Sequence, residues 1–230
     1  KGNQSMTFSI VGFCERTGMA GVSITTSSIC VGSRCPWVLA GGGAVTTQNV
    51  TDPTIGNEVL NSMAGGMSAA DAVNAAMDGR VHADYRQVAA VDLKGGIAHF
   101  TGANILGTNM VAEGRHCVAA GNLLSTTDVP AAMVREFERA PERHIAERLV
   151  AALQAGIDAG GEEGDAHSGG LLVAHEQPWP LVDLRVDWTD DCPGQVLRDL
   201  WDRYEPEMQP YLTRALNPSD APSYGVPGDQ

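Results

Sequence analysis

Strand-like segments in this chain come in pairs joined by short turns, and pairs of helix-like segments separate them. Residues 7–26 predict a hairpin that turns at Thr17-Gly18, and the Gly-rich residues 41–48 lead into a third strand. Later strands are predicted over 86–93, 97–101, the residues up to Gly121-Asn122, 171–174 and 182–186. Parallel βαβ units would instead alternate single strands with single helices. The order therefore predicts an α+β fold with two stacked antiparallel sheets between helical layers.

Capping residues and apolar periodicity mark the helices. Asp52 before Pro53 predicts an N-cap with proline in the first helical position, and Ser68 predicts a second N-cap. Asp128 predicts a third N-cap, and apolar residues recur at helical spacing over residues 142–158. The helices are predicted over 53–64, 69–78, 129–140, 142–158 and near 193–204.

The chain is long enough for one large domain. With 230 residues, of which 43% are hydrophobic, it should bury a core without a metal or a disulfide. No linker divides it, so residues 7–205 are predicted to form a single domain. Residues 1–6 are interpreted as a leader or an expression remnant, with Met6 offering a natural start. Residues 206–230 are interpreted as a Pro-rich tail that packs on the domain or on a partner subunit.

The charge balance and the cysteines limit the possible partners. The 28 acidic and 15 basic residues give a net charge of −13, which argues against nucleic-acid binding and against docking on an anionic membrane. No apolar run approaches the length of about 18 residues that a membrane span needs. Five cysteines without a CxxC pair or a zinc-type spacing indicate reduced thiols in a cytoplasmic protein.

Standard catalytic motifs are missing from the sequence. It has no GxSxG elbow, no HExxH and no Walker loop, because no Lys-Ser/Thr follows the glycines at 41–43. That run predicts a turn or a tight backbone passage beside a site. The six histidines are scattered, and no pair has i, i+4 spacing, so neither a metal nor another cofactor is expected.

The start of the first strand offers a possible nucleophile. Removal of Met6 would leave Thr7 with a hydroxyl and a free α-amine on one residue. That amine has a reference pKa of about 7.7–8.0, so it is partly neutral at physiological pH and can accept the hydroxyl proton. This arrangement is the Thr and N-terminal amine form of an activated nucleophile.

Short segments spread along the chain together resemble one protein family. They are MTFSIV at 6–11, AVTTQN at 44–49, DP at 52–53, RQV at 86–88, TGA at 101–103, GNLL at 121–124 and DLRVD at 183–187. The chain thereby resembles the bacterial and archaeal family called domain of unknown function 1028, which is grouped with the N-terminal nucleophile (Ntn) hydrolases. The resemblance implies their four-layer αββα sandwich and the hydrolysis of an amide bond, without a settled substrate.

The resemblance also implies roles for individual residues. Thr7 would attack the amide carbonyl, and its own amine would act as the general base. Asn122, in a Gly-Asn pair of the kind that related hydrolases use, would stabilise the tetrahedral oxyanion. Many relatives carry glutamine where this chain has Ala120, which puts one pocket contact in doubt. Ser9 shares the face of Thr7 in a strand, where it either binds the amine or packs.

Three further side chains are candidates for substrate binding, namely Gln48, Arg86 and Arg185. A purely structural role is equally open for both arginines. Arg86 could pair with Asp92, and Arg185 could pair with the aspartates at positions 183 and 187. An arginine that reaches the pocket would favour a carboxylate-bearing substrate through bidentate pairing.

These observations predict a hydrolase of a small amide, such as an N-acyl or N-carbamoyl amino compound, in a chain whose tail is compatible with a homodimer. A first alternative is a non-catalytic module on the same scaffold that binds a small molecule or a cell-wall fragment. It would not need a free Thr7 amine facing a pocket. A second alternative is an enzyme that uses Cys14 or Cys35, each of which lies near an arginine in the sequence.

Overall fold

A computed structural model describes residues 6–226 of the chain. The strands of this part form two antiparallel sheets that stack face to face, with helices on both outer faces. The predicted α+β sandwich of two stacked antiparallel sheets is thereby confirmed. The predicted leader lies outside the described residues apart from Met6, and so do residues 227–230 of the predicted tail.

The strands lie close to their predicted positions. The larger sheet has six strands in the order β10-β9-β2-β1-β8-β7, and the smaller sheet has four in the order β3-β4-β5-β6. In chain order they are β1 (Thr7–Cys14), β2 (Met19–Thr26), β3 (Pro36–Leu39), β4 (Gly43–Asn49), β5 (Arg86–Asp92), β6 (Ile97–Thr101), β7 (Met110–Gly114), β8 (Cys117–Asn122), β9 (Ser168–Ala174) and β10 (Val182–Val186).

Helices cover each sheet on its outer side. They are α1 (Pro53–Ala64), α2 (Ala69–Met77), α3 (Val129–Arg139), α4 (Ile145–Asp158) and α5 (Pro193–Leu216). The first two pack on the smaller sheet and the other three on the larger one. Two of the three predicted caps are present, because the Asp52 carboxylate accepts the Thr54 amide at 3.1 Å and the Ser68 hydroxyl accepts the Asp71 amide at 3.1 Å. Asp128 precedes α3, but its side chain makes no capping hydrogen bond.

Strand alternation divides the apolar residues among three packed layers. On β1, Phe8 and Ile10 face the helices of the larger sheet, whereas Val11 and Phe13 face the smaller sheet. On β4, Val45 faces α1 and α2, whereas the preceding alanine faces the larger sheet. Side chains of opposite parity therefore line opposite faces, as a pleated strand requires.

The structure differs from the sequence prediction in three elements. β3 and β7 were not predicted, and both are short strands at the edges of their sheets. The last helix was predicted to end near residue 204, but α5 continues through Pro206 and Pro210 to Leu216. The boundary predicted before residue 206 therefore falls inside a helix. Within residues 6–226, no helix is long and apolar enough to cross a lipid bilayer.

Candidate active site

The facing surfaces of the two sheets are polar at one end of the sandwich. This end holds the start of β1 and the ends of β2, β4 and β8. Its polar side chains are almost entirely buried, and Thr7 is only 3% exposed. They are Thr7, Ser9, Thr26, Thr46, Gln48, Asn49, Gln87 and Asn122.

Thr7 lies in the middle of three adjacent strands, opposite Thr26 on one side and Asn122 on the other. Its hydroxyl is 3.0 Å from the Thr26 hydroxyl. Thr26 donates its single proton to the carbonyl of Met6, so Thr7 must be the donor between the two hydroxyls. The Ser27 amide also donates to the Met6 carbonyl, at 3.2 Å. Two hydrogen-bond donors therefore hold the carbonyl that directly precedes Thr7.

Asn122 faces Thr7 with its orientation set by a neighbour. Its Nδ2 donates to Oδ1 of Asn49 at 3.2 Å, and that oxygen also accepts the Leu106 amide at 3.2 Å. The Asn49 Nδ2 donates to the Tyr85 carbonyl at 2.8 Å. One of the two Nδ2 protons of Asn122 is thus used, and its buried Oδ1 has no hydrogen-bond partner in the described part of the chain.

Asn49 was missed as a site residue from the sequence. It ends β4 with a φ of 68°, a left-handed conformation that asparagine tolerates better than most residues. Its place at the end of the AVTTQN segment, one of those that resemble the family, was the available signal. Its carboxamide acts as a positioning group for Asn122.

Ser9 and Gln48 belong to a chain of hydrogen bonds between the sheets. Ser9 donates to Oε1 of Gln48 at 2.6 Å, and Nε2 of Gln48 donates to Oε1 of Gln87 at 2.8 Å and to the Ala120 carbonyl at 3.1 Å. Gln87 then donates to the Gly121 carbonyl at 3.3 Å. The structure thus brings Ser9 and Gln48 together beside Thr7, with the Ser9 hydroxyl directed at the glutamine.

Arg86 lies at the same end of the sandwich, opposite Asn49 in the β4–β5 register. Its Nη1 donates to the Val50 carbonyl, and its Nε is buried without a partner among residues 6–226. The suggested pairing with Asp92 is wrong, because that carboxylate lies at the far end of β5 and accepts the Lys94 and Gly96 amides at 2.8 and 2.9 Å.

Arg185 is not brought to Thr7. It lies on β10, the edge strand that β9 and β2 separate from β1. Its guanidinium makes a bidentate ion pair with Asp183, at 2.7 and 2.9 Å, which is the structural role considered from the sequence. The ion pair raises the pKa of the guanidinium.

A buried carboxyl group that the sequence analysis did not identify lies behind this end of β1. Oε2 of Glu162 accepts the Ser27 amide at 3.1 Å, the same N–H that holds the Met6 carbonyl. Oε1 is buried and has no partner in the described structure. Burial raises the pKa of Glu162 from 4.5 to about 9, so the group is protonated at neutral pH. Glu162 also lines a cavity of about 260 Å³ with Phe8, Asp165 and Asp190.

The two cysteines considered as nucleophiles lie in different environments. Cys35 is buried, and burial raises the pKa of its thiol, which disfavours the reactive thiolate. Cys14 lies at the other end of β1 from Thr7. Burial opposes its ionisation, but hydrogen bonds from Thr17 and the charge of Arg148 outweigh burial and lower the pKa of the thiol.

Comparison with known proteins identifies one protein family. Residues 7–197 match a family described as a family of unknown function, DUF1028. The crystal structure of protein SPO2555 from Silicibacter pomeroyi, also described as DUF1028, is similar, with 32% sequence identity and a TM-score of 0.79. The similarity covers 86% of this chain and 89% of that one. None of the curated proteins compared with the chain matches it.

Proposed function

The chain belongs to the DUF1028 family of unknown function, and from the chemistry at the start of β1 we propose that it hydrolyses a small amide with Thr7 as the nucleophile. The proposal places this chain among hydrolases of the Ntn type. It requires Thr7 to become the first residue, so that its α-amine is free.

The observation that supports the proposal is the pair of hydrogen-bond donors around the Met6 carbonyl oxygen. The Thr26 hydroxyl and the Ser27 amide both donate to that oxygen, and Thr26 also accepts a hydrogen bond from the Thr7 hydroxyl. With Met6 removed, a substrate carbonyl in the same place would meet the same two donors beside the nucleophile. Fixed donors of this kind stabilise the oxyanion of a tetrahedral intermediate.

The reaction then proceeds in two steps. The Thr7 amine, with a reference pKa of about 7.7–8.0, takes the hydroxyl proton while Oγ1 attacks the amide carbon. The C–N bond breaks, the leaving amine takes that proton, and an ester forms on Oγ1. Water then cleaves the ester and regenerates the hydroxyl. Asn122 supports both steps with the Nδ2 proton that Asn49 does not use.

An N-acyl or N-carbamoyl amino compound is the proposed substrate class. Because Arg185 is occupied by Asp183, a substrate carboxylate would depend on Arg86, which lies beside the Asn49–Asn122 pair. The proposal includes the cytoplasm as the location, because all five cysteines are free thiols.

The alternative is a non-catalytic module that binds a small molecule or a cell-wall fragment. It fits a chain that retains Met6, in which the Met6 amide donates to the Ser27 hydroxyl at 3.1 Å and Thr7 is nearly inaccessible. A chain that keeps this residue has no free Thr7 amine to act as a base.

Two forms of the protein test the proposal. One begins at Thr7, released by a protease that leaves no extra residue, and the other retains Met6. Both are assayed for amine release from N-acetyl and N-carbamoyl amino acids. We expect turnover only from the form that begins at Thr7. Thr7→Ala should abolish turnover, and Thr26→Val should lower kcat by about 10²–10³-fold because one oxyanion donor is lost.

Thr101→Val, an exposed position on β6, is the matched control and should leave turnover unchanged. Equal turnover in the Met6 form, or full activity in Thr7→Ala, would refute Thr7 as the nucleophile. Binding of these compounds without hydrolysis by the form that begins at Thr7 would establish the binding module instead.

A further inference from the structure

A second cavity lies at the opposite end of β1 from Thr7. It measures about 570 Å³ and lies among the end of β1, the β7–β8 turn and the start of α4. Thr7 begins β1 and Cys14 ends it, so the two sites are about 23 Å apart at roughly 3.3 Å per residue. The lining of this second cavity includes Phe13, Cys14, Arg16, His116, Pro141 and Arg148. A cavity of this size suits a small ligand.

Arg148 is a buried cation without a carboxylate partner among the described residues. It is only 7% exposed, and no carboxylate of residues 6–226 lies within ion-pair distance of it. Its Nε donates to the Phe137 carbonyl at 3.0 Å, and its guanidinium lies 3.9 Å from the centre of the Phe137 ring. The guanidinium also makes a hydrogen bond to the Cys14 side chain. Of its five N–H donors, three therefore remain for the cavity. An unpaired buried charge is costly unless something compensates for it.

Other charged side chains line the cavity around Arg148. Arg115 is occupied, because its Nη2 pairs with Glu15 at 2.9 Å. Arg16 donates to the backbone carbonyl of Glu142, at 2.9 Å, and no carboxylate of residues 6–226 pairs with it. The Glu138 carboxylate accepts the Arg115 amide at 2.6 Å. The cavity therefore has a cationic interior at Arg148 and a second cation at Arg16 that no described carboxylate neutralises. Its lining also includes three exposed carboxylates, of Glu15, Glu138 and Glu142.

We propose that this cavity binds a small molecule with one anionic head group, a carboxylate or a phosphate, on an apolar body. Arg148 receives the head group as a bidentate partner, since a guanidinium matches both oxyanions in geometry. Phe13 and Pro141, which line the cavity, contact the apolar body. Arg16 strengthens binding from the rim. The site is independent of the proposed hydrolysis.

The test uses three probes of similar size on the isotope-labelled protein, followed by ¹H–¹⁵N spectra. The probes are 4-phenylbutyrate, phenyl phosphate and the uncharged 4-phenylbutanamide. We expect saturable shifts of the Cys14, His116 and Arg148 amides with an anionic probe, and at least about tenfold weaker binding of the amide. The stronger of the two anions identifies the head group.

Variants separate ligand binding from packing. Arg148→Met should remove saturable binding, and Arg16→Met, at an exposed position, should weaken it several-fold without affecting folding. Arg139→Met removes a comparable arginine of α3 that pairs with Glu136 outside the cavity, and it should bind as the unaltered protein does. Equal binding of the amide, shifts elsewhere, or no shifts with 10 mM of either anion would refute the site. If Arg148→Met does not fold, the Arg16→Met result and the comparison of charged with uncharged probes decide.

Discussion

Glu162 shows how one buried group can make stability depend on pH. Its pKa is about 9 in the folded chain and 4.5 when exposed, so the folded state holds an extra proton between these values. Its contribution to stability is therefore complete below pH 4.5, falls by about 1.4 kcal/mol per pH unit above it, and is lost above pH 9.

The variant Glu162→Gln tests whether the ionisation of Glu162 lowers stability as the pH rises. Glutamine can accept the Ser27 amide as Glu162 does, but it does not ionise. We expect the variant to gain stability relative to the unaltered protein as the pH rises from 5 to 9, in urea unfolding followed by circular dichroism. Glu163→Gln, at the exposed neighbouring position, is the control and should track the unaltered protein. Parallel stability profiles for Glu162→Gln and the unaltered protein would contradict the raised pKa.

The residues of the candidate site were predictable to the extent that strand geometry places them. The two-residue period of a strand predicts that the side chains of Thr7 and Ser9 share one face, and the predicted end of a strand gives the position of Asn122. The position of Glu162 was not predictable in this way, because it lies on a Gly-rich loop whose path depends on a β-bridge to Leu124, far away in the sequence. Arg185 also shows that residue type alone does not distinguish a substrate contact from an ion pair.

At the scale of elements, α1 approaches β3 through a glycine. A Cβ atom on Gly56 would lie 2.2 Å from Cδ1 of Trp37, well inside contact distance. Alanine favours a helix by about 1 kcal/mol over glycine, but overpacking costs about 1–3 kcal/mol. We therefore expect Gly56→Ala to destabilise the protein, as measured by urea unfolding.

The effect of Gly56→Ala on the free energy of unfolding should change sign when the Trp37 indole is absent. In a Trp37→Ala background the added methyl group meets space, so Gly56→Ala should then stabilise the protein through helix propensity. A double-mutant cycle measures this coupling. If Gly56→Ala has the same effect in both backgrounds, the close packing of α1 on β3 is not what requires glycine.

The elements that sequence analysis missed depend on tertiary contacts. Proline normally ends or kinks a helix, which supported an end of the last helix near residue 204. In the structure Tyr204, Met208 and Leu212 recur every four residues and pack on the core, so α5 continues past both prolines. β3 and β7 are short edge strands whose residues carry little signal of their own. The long apolar strands and the helices with capping residues were predictable because each carries a local pattern.

At the scale of the whole molecule, the hydrogen bonds between the sheets join two helix-covered halves. Gln48 on β4 reaches Ser9 on β1 and the Ala120 carbonyl on β8. Towards the other end the contact is apolar, with Val11 and Val22 against Ala89. Neither sheet can separate from the other without exposing these groups. We therefore expect both sheets to unfold as one cooperative unit.

Hydrogen exchange under native conditions tests this cooperativity. The slowest amides of β1 and β8 should show the same opening free energy as those of β4 and β5. Gln48→Leu leaves the buried Gln87 Oε1 without its donor, and it should lower both values together by at least about 2 kcal/mol. Gln195→Leu, on the exposed side of α5, should change either value by less than about 0.5 kcal/mol. If Gln48→Leu lowered protection in the smaller sheet alone, the smaller sheet with α1 and α2 would be an independent unit. Residues from both sheets would then not hold the Thr7 site as one rigid frame.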